Sequence, residues 1–244
     1  MGRHEPDPTM QGGAPMKRSL IVIAAIVTLA IPAICQAAPA RPGAYVSGFL
    51  GISVPMDADV TTFDFFTNAT FNDRVEFDPG INVGGTGGYD FGIIRLEGEL
   101  SFKQSEIRSI TDKADGFQFG NPDGDLGALA MMFNAFFDLH NATPVTPYWG
   151  GGIGFAVLHL SDTFGTDIVN GVPERVLLYE NDDDTVFAYQ AGAGLEIALN
   201  RQFSLDLGYR YFGTSRARFG ANKDITTDLK FESHNGVVGF RVKF

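Results

Sequence analysis

The last ten residues, NGVVGFRVKF, alternate in character: Gly236, Val238, Phe240, Val242 and Phe244 hold one parity, and Asn235, Val237, Gly239, Arg241 and Lys243 the other. A period of two is that of a β-strand with one apolar face. The stretch IIRLEGELSF shows it more cleanly, with Ile94, Leu96, Gly98, Leu100 and Phe102 set against Arg95, Glu97, Glu99, Ser101 and Lys103. No helical period would sort these residues into an apolar and a charged face. The same alternation recurs over residues 46–52, 81–91, 129–139, 149–157, 187–197 and 203–211, so about eight strands are predicted.

The connections carry a second pattern. Short links fall at residues 90–92, 139–146 and 199–202, and long polar ones at about 55–79, 104–125, 162–184 and 213–232. Long and short alternate, which places every long loop at one end of an up-and-down sheet. Short periplasmic turns and long external loops are the rule for outer-membrane barrels. The predicted fold is therefore all-β, an eight-stranded antiparallel up-and-down transmembrane β-barrel with short periplasmic turns and long extracellular loops.

A soluble lipocalin-like barrel would show the same alternation with its apolar face inside. Three features favour the membrane. Small residues (Gly84, Thr86, Gly88, Gly150, Gly152, Gly154, Gly192, Gly194) share the polar faces with Arg95, Glu97 and Glu99, as suits a narrow polar interior. Aromatic residues gather near strand ends, with Phe91, Trp149, Phe203 and Phe244 by the short turns and Tyr211 by the long loops, like interfacial girdles. The chain also ends on its last strand, without the helix or disulfide that a lipocalin usually adds.

Upstream, Met16-Lys17-Arg18 precedes an apolar run from Leu20 to Ile34 and then Cys35-Gln36-Ala37-Ala38. A basic start, an apolar core and small residues at the end predict a signal peptide over 1–37, cleaved after Ala37 or Ala40, with the barrel domain over 38–244. Met16 is the more natural start. The bulk of Ile34 argues against a lipoprotein site at Cys35, the chain's only cysteine, so the mature chain is expected to hold no disulfide. Residues 1–37 carry three basic and two acidic residues, which leaves 15 against 27, or -12, in the remainder. That balance excludes nucleic acid as a partner class.

The stretches VEFDPGINVGGTGGYDFGIIRLEGELSF, NATPVTPYWGGGIGFA and FAYQAGAGLEIALNRQFSLDLGYRYFGTS resemble the opacity/OmpA-like outer-membrane β-barrel family of Gram-negative bacteria, over residues 44–244. The resemblance implies insertion by the barrel-assembly machinery. It implies no single activity: relatives serve as structural proteins, surface antigens, adhesins or narrow channels. No peptidoglycan-binding domain follows the barrel in this sequence, so wall tethering is not expected. The last strand, with Val238, Phe240, Val242 and Phe244 on one face, resembles the C-terminal assembly signal of such proteins.

Candidate chemistry follows from parity. Arg95, Glu97, Glu99, Asp138, Glu196, Asp206, Arg210, Arg241 and Lys243 are expected to face the lumen. An eight-stranded interior is just wide enough for side chains to fill, and buried charges must pair. A salt-bridged plug is the expected arrangement; a gated conduit through the same residues is the alternative. Gly150, Gly152 and Gly154 have strand period and no helix after them, which excludes a phosphate loop. His159 and Ser161 share a face, but no third group to orient the histidine is evident nearby, so no catalytic residue is assigned. The acidic run YENDDD (179–184) lacks the spacing and the central glycine of an EF-hand, and no metal or cofactor is expected. Arg74, Arg108, Lys113, Arg175, Arg216, Arg218, Lys223 and Lys230 are placed to meet lipopolysaccharide phosphates or to balance the acidic loops. Phe63, Phe65, Phe66 and Phe71 would either bind a host or surface ligand or pack the first loop onto the rim. The expected role is non-enzymatic: envelope integrity or surface interaction, at the cell outer membrane.

Overall fold

A computed structural model describes residues 42–244 apart from 170, 222 and 223; the expected signal peptide and Lys223 lie outside the described residues. The strands are β1 (Gly43–Pro55), β2 (Ala58–Asp64), β3 (Ala69–Phe77), β4 (Gly80–Asp90), β5 (Ile94–Asp112), β6 (Gly120–Asp123), β7 (Asp125–Asp138), β8 (Val145–Leu160), β9 (Thr163–Val169), β10 (Val172–Tyr179), β11 (Asp182–Ala198), β12 (Phe203–Phe219) and β13 (Ile225–Lys243). Eight of them form a ring in the order β1-β4-β5-β7-β8-β11-β12-β13. The first and last strands close it in antiparallel register, from Tyr45 opposite Lys243 to Pro55 opposite Ser233. The predicted eight-stranded up-and-down barrel is thus the observed fold.

The long connections differ from the polar loops expected of them. Pairing continues well past the predicted strand ends, and the fourth connection shrinks to a turn between Phe219 and Ile225. β2 and β3 carry β1 and β4 upward after a short break, pairing with β13 and β5. β6, β9 and β10 form a separate three-stranded sheet at the long-loop end. Strands of 19 residues, such as β5 and β13, measure ~60 Å along the chain. At a tilt of ~40° they rise roughly 45 Å, well beyond an apolar band ~25 Å tall.

Polarity inverts partway up these strands. In lower β5, Ile94, Leu100 and Phe102 face outward while Arg95, Glu97, Glu99 and Lys103 are buried inside. Higher up, Ile107 and Ile110 are buried while Glu106 and Arg108 face water. β12 and β13 repeat this: Phe203 and Tyr209 outside below, Ala217 and Phe219 inside above; Val238 and Phe240 outside below, Leu229 and Phe231 inside above. The inward residues of the upper half form one apolar core, from Val60 and Val75 through Leu126, Met132, Leu158 and Tyr179 to Phe212 and Phe231. The polar interior inferred from the sequence therefore fills only the short-turn half of the barrel. Glycines make room in that half: a Cβ at Gly84 would lie 2.6 Å from the Phe49 ring, and one at Gly194 would collide with the Tyr148 hydroxyl.

Candidate functional site

Six strands bring the lower lumen's charges together. β4 contributes Asp90; β5 Arg95, Glu97, Glu99 and Lys103; β7 Asp138; β11 Glu196; β12 Asp206 and Arg210; β13 Arg241 and Lys243. Glu196 lies at the centre: it is 3.3 Å from Arg95 Nη1 and 3.0 Å from Lys243 Nζ, pairs with Arg241, and accepts the Ser204 hydroxyl at 2.9 Å. Arg241 also reaches Asp206 at 3.2 Å, and Lys243 reaches Asp90 at 3.2 Å. One layer up, Arg210 pairs with Glu99, which also accepts Asn134 at 3.0 Å and Gln190 at 2.9 Å. Aromatic faces sandwich the guanidinium groups: Arg95 lies 4.6 Å from the Tyr148 ring centre, Arg241 4.6 Å from Tyr45 and Arg210 4.7 Å from Phe49. Such stacking suits a weakly hydrated cation in a dry site. The void left among these side chains is about 10 Å³, room for about one water molecule.

Parity alone did not single out Tyr45, Asp90, Asn134, Tyr148 and Gln190, and Lys103, which it set on the charged face beside Arg95, Glu97 and Glu99, was not among the expected lumen charges. Tyr45 donates to Glu97 at 2.5 Å and Tyr148 to Asp206 at 2.7 Å. Lys103 is buried, donates to Ser101 at 3.0 Å and lies 4.2 Å from the Phe212 ring, at the border between the charged and apolar layers. A usable signal existed for Asn134 and Gln190, which are inward-parity amides in the apolar stretches LGALAMMFNAFF and VFAYQAGAGL.

The candidate assembly signal lies on the outer face of β13. Val238 and Phe240 are exposed toward the surroundings, Phe240 stacks on Phe203 at 5.5 Å, and Phe244 is 80% exposed beside the short turns. Phe137 and Trp149 stack at 4.9 Å at the same level. At the other end of the belt, Tyr209 bonds His234 at 2.7 Å, with Tyr189 and Tyr211 beside them.

At the long-loop end the β2–β3 hairpin presents its tip to solvent. Phe65 and Phe66 are 60% and 82% exposed, and Phe63 packs edge-on against Phe65 at 4.8 Å. The Asp64 carboxylate fixes the turn by accepting the Phe66 amide at 2.8 Å and the Thr67 hydroxyl at 2.8 Å, bonds that hold it below the usual aspartate range. Asn68 closes the turn at φ 52°, a left-handed conformation that asparagine tolerates. Phe71 is half-exposed on β3.

Most loop cations are paired: Arg74 with Asp57, Arg108 with Asp78, Lys113 with Asp59, Arg175 with Asp123, Arg218 with Asp228 and Lys230 with Glu232. Arg216 is exposed on β12 opposite Lys230. The acidic run is put to structural use. Asp184 accepts the Arg218 amide at 2.7 Å, and Asp182 the Gly220 amide at 2.5 Å. Among the described residues no group of three His, Cys, Asp or Glu is placed to hold a metal ion. His159 does have a partner that the sequence hid: the β8–β11 register sets Asp183 opposite it, with Nδ1 2.6 Å from Oδ1. Ser161 instead accepts the Asp125 amide at 2.7 Å.

A family model described as an outer membrane protein beta-barrel domain matches residues 22–244. The outer membrane protein PagN of Salmonella typhimurium is 30% identical over 204 residues, covering 76% of this chain and 80% of that protein. An uncharacterized protein of Brucella abortus is 42% identical over 82 residues, 33% of this chain and 28% of its own length. Among solved structures, OprG from Pseudomonas aeruginosa superposes with a TM-score of 0.56 at 15% identity, covering 86% of this chain and 98% of that one. That likeness concerns the fold alone. With a family model matched over most of its length and a ring of eight strands belted in apolar side chains, the chain belongs to the outer-membrane β-barrel family and resides in the cell outer membrane.

Proposed function

We propose that this protein is a closed, non-enzymatic surface barrel whose extracellular head makes contact with a host or surface ligand. The observation that carries this is the β2–β3 tip: two adjacent phenylalanines, Phe65 and Phe66, stand in solvent on an ordered hairpin at the long-loop end, which is extracellular in this family. Exposed aromatic residues held by a fixed turn bury readily against a partner, with little ordering cost. The charge plug below and the apolar core above support a lumen closed to ions. Lipopolysaccharide phosphates facing the loop cations and the assembly machinery receiving the Val238–Phe244 strand belong to the same proposal.

Cells displaying Phe65→Ser/Phe66→Ser in place of the wild type test it, by attachment to cultured epithelial cells. Burying a phenylalanine contributes ~1.5–3 kcal/mol, so attachment is expected to fall at least about tenfold while the barrel still shifts mobility on heating. Equal attachment at equal amounts of folded barrel would sink the proposal.

A further inference from the structure

The lumen cluster holds six carboxyl groups (Asp90, Glu97, Glu99, Asp138, Glu196, Asp206) and five cations (Arg95, Lys103, Arg210, Arg241, Lys243), all buried or nearly so. Five of the six carboxyl groups accept hydrogen bonds: Asp90 from the Gly92 amide at 2.7 Å, Glu97 from Tyr45, Glu99 from Gln190, Glu196 from Ser204, and Asp206 from Tyr148. Asp138 is the exception. Its side chain is 1% exposed, neither carboxyl oxygen has a hydrogen-bond partner, and its nearest cation, Arg95 Nη2, stands 3.6 Å away. Arg95 itself is committed to Glu196.

An ionised carboxylate buried without donors is strongly disfavoured. We propose that Asp138 keeps its proton in the folded barrel well above the pH at which an aspartate ordinarily ionises, and that this site makes the periplasmic floor of the lumen pH-sensitive. With Asp138 neutral, five carboxylates face five cations and the cluster carries no net charge. Ionisation releases the proton to the periplasm and leaves one negative charge in excess. The new carboxylate then faces Asp90 of β4 and Glu196 of β11, competes for Arg95 of β5, and draws on Arg241 of β13. Tyr148 of β8 lies directly across the ladder, and His140 of the adjoining turn bonds the Asp138 carbonyl at 3.3 Å. The periplasmic floor therefore loosens as pH rises.

A carboxyl group whose folded pKa lies above its unfolded one stabilises the fold at acid pH, and that stability is lost as pH rises from ~4 toward the folded value. The test is the midpoint of heat-induced mobility change for the full chain in detergent micelles, for wild type and Asp138→Asn from pH 5 to 8. The expected result is that Asp138→Asn gains over wild type by roughly 3–5 °C between pH 5 and 6, the gain levelling off above the folded value of about 6. The infrared band of a buried protonated carboxyl at pH 5 should weaken in Asp138→Asn. A midpoint lowered by Asp138→Asn at every pH, or a band untouched by it, overturns the proposal. Should Asp138→Asn fail to fold, the spectrum of Asp73→Asn decides: with the other buried aspartate of raised pKa removed, no buried protonated-carboxyl band at pH 5 overturns it equally.

Discussion

Glu196 is where the plug is most exposed to a single substitution. Glu196→Ala removes the shared acceptor of Arg95, Arg241, Lys243 and Ser204, in a place where the glutamate side chain is 6% exposed. Stripping one partner from a buried ion pair costs about 3–5 kcal/mol. Each cation keeps a second carboxyl neighbour, Arg241 with Asp206 at 3.2 Å, Lys243 with Asp90 at 3.2 Å and Arg95 with Asp138 at 3.6 Å. The loss should therefore fall at the lower end, about 3 kcal/mol. For a chain of this size that is a drop of roughly 6–12 °C in the midpoint of heat-induced mobility change. Arg74→Ala is the control: it breaks a 2.7 Å pair with Asp57 whose side chains are 55% and 43% exposed, and such pairs contribute at most ~1 kcal/mol. If Glu196→Ala shifts the midpoint no more than Arg74→Ala, the lumen is wet enough to screen its charges. The closed plug would then be refuted.

Two further outcomes test the head and the assembly of the barrel. Tyr179 donates to Asp73 at 2.8 Å inside the extracellular core, where burial pushes the Asp73 carboxyl up and the tyrosine hydroxyl draws it back. Tyr179→Phe should cost about 1–3 kcal/mol in urea unfolding at pH 7. The cost should be smaller at pH 5, because a carboxyl with a raised folded pKa contributes stability that is lost as pH rises; an equal cost at both pH values would refute the role given to Asp73. Deleting Phe244 should lower the yield of heat-modifiable barrel in membranes more than deleting Asp115 from an external turn, and equal yields would refute an assembly role for the terminal ring.

Strand number, connectivity and the outward face of the lower barrel were legible because one face is lipid-facing and the other charged, so alternation is sharp in stretches such as Ile94–Lys103. The nine inward charges were legible by parity, but their partners were not, since pairing depends on register between strands far apart in sequence. Asp183 meets His159 only because β11 runs opposite β8. The apolar upper core was hidden for a different reason. In LGALAMMFNAFF both parities are apolar, with Ala128, Ala130 and Met132 inside and Leu129, Met131 and Phe133 outside, so no contrast marks the inward face. In the long connections the outward residues are charged, and their inward partners (Val60, Val75, Phe77, Ile107) are too sparse to announce a strand.

The inversion along β5, β12 and β13 follows from what surrounds each height of the wall. Where lipid surrounds the barrel, apolar side chains must face out, and the interior is left to residues that satisfy one another by charge. Where water surrounds it, the usual arrangement returns, with charged residues outside and an apolar core within. The nine residues from Ile94 to Phe102 that keep the lipid-type pattern match the ~9–11 that a tilted strand needs to cross the bilayer. Everything above is a water-soluble β-structure built on the same strands. That head has its own apolar core, and Phe65 and Phe66 stand exposed at the tip of its β2–β3 hairpin. It also places a second tightly packed layer in the lumen: voids of about 10 Å³ are found in both the charged and the apolar layer. Opening a conduit would require both layers to give way, and they respond to different forces, since the charged layer depends on protonation and pairing while the apolar one is held by the hydrophobic effect.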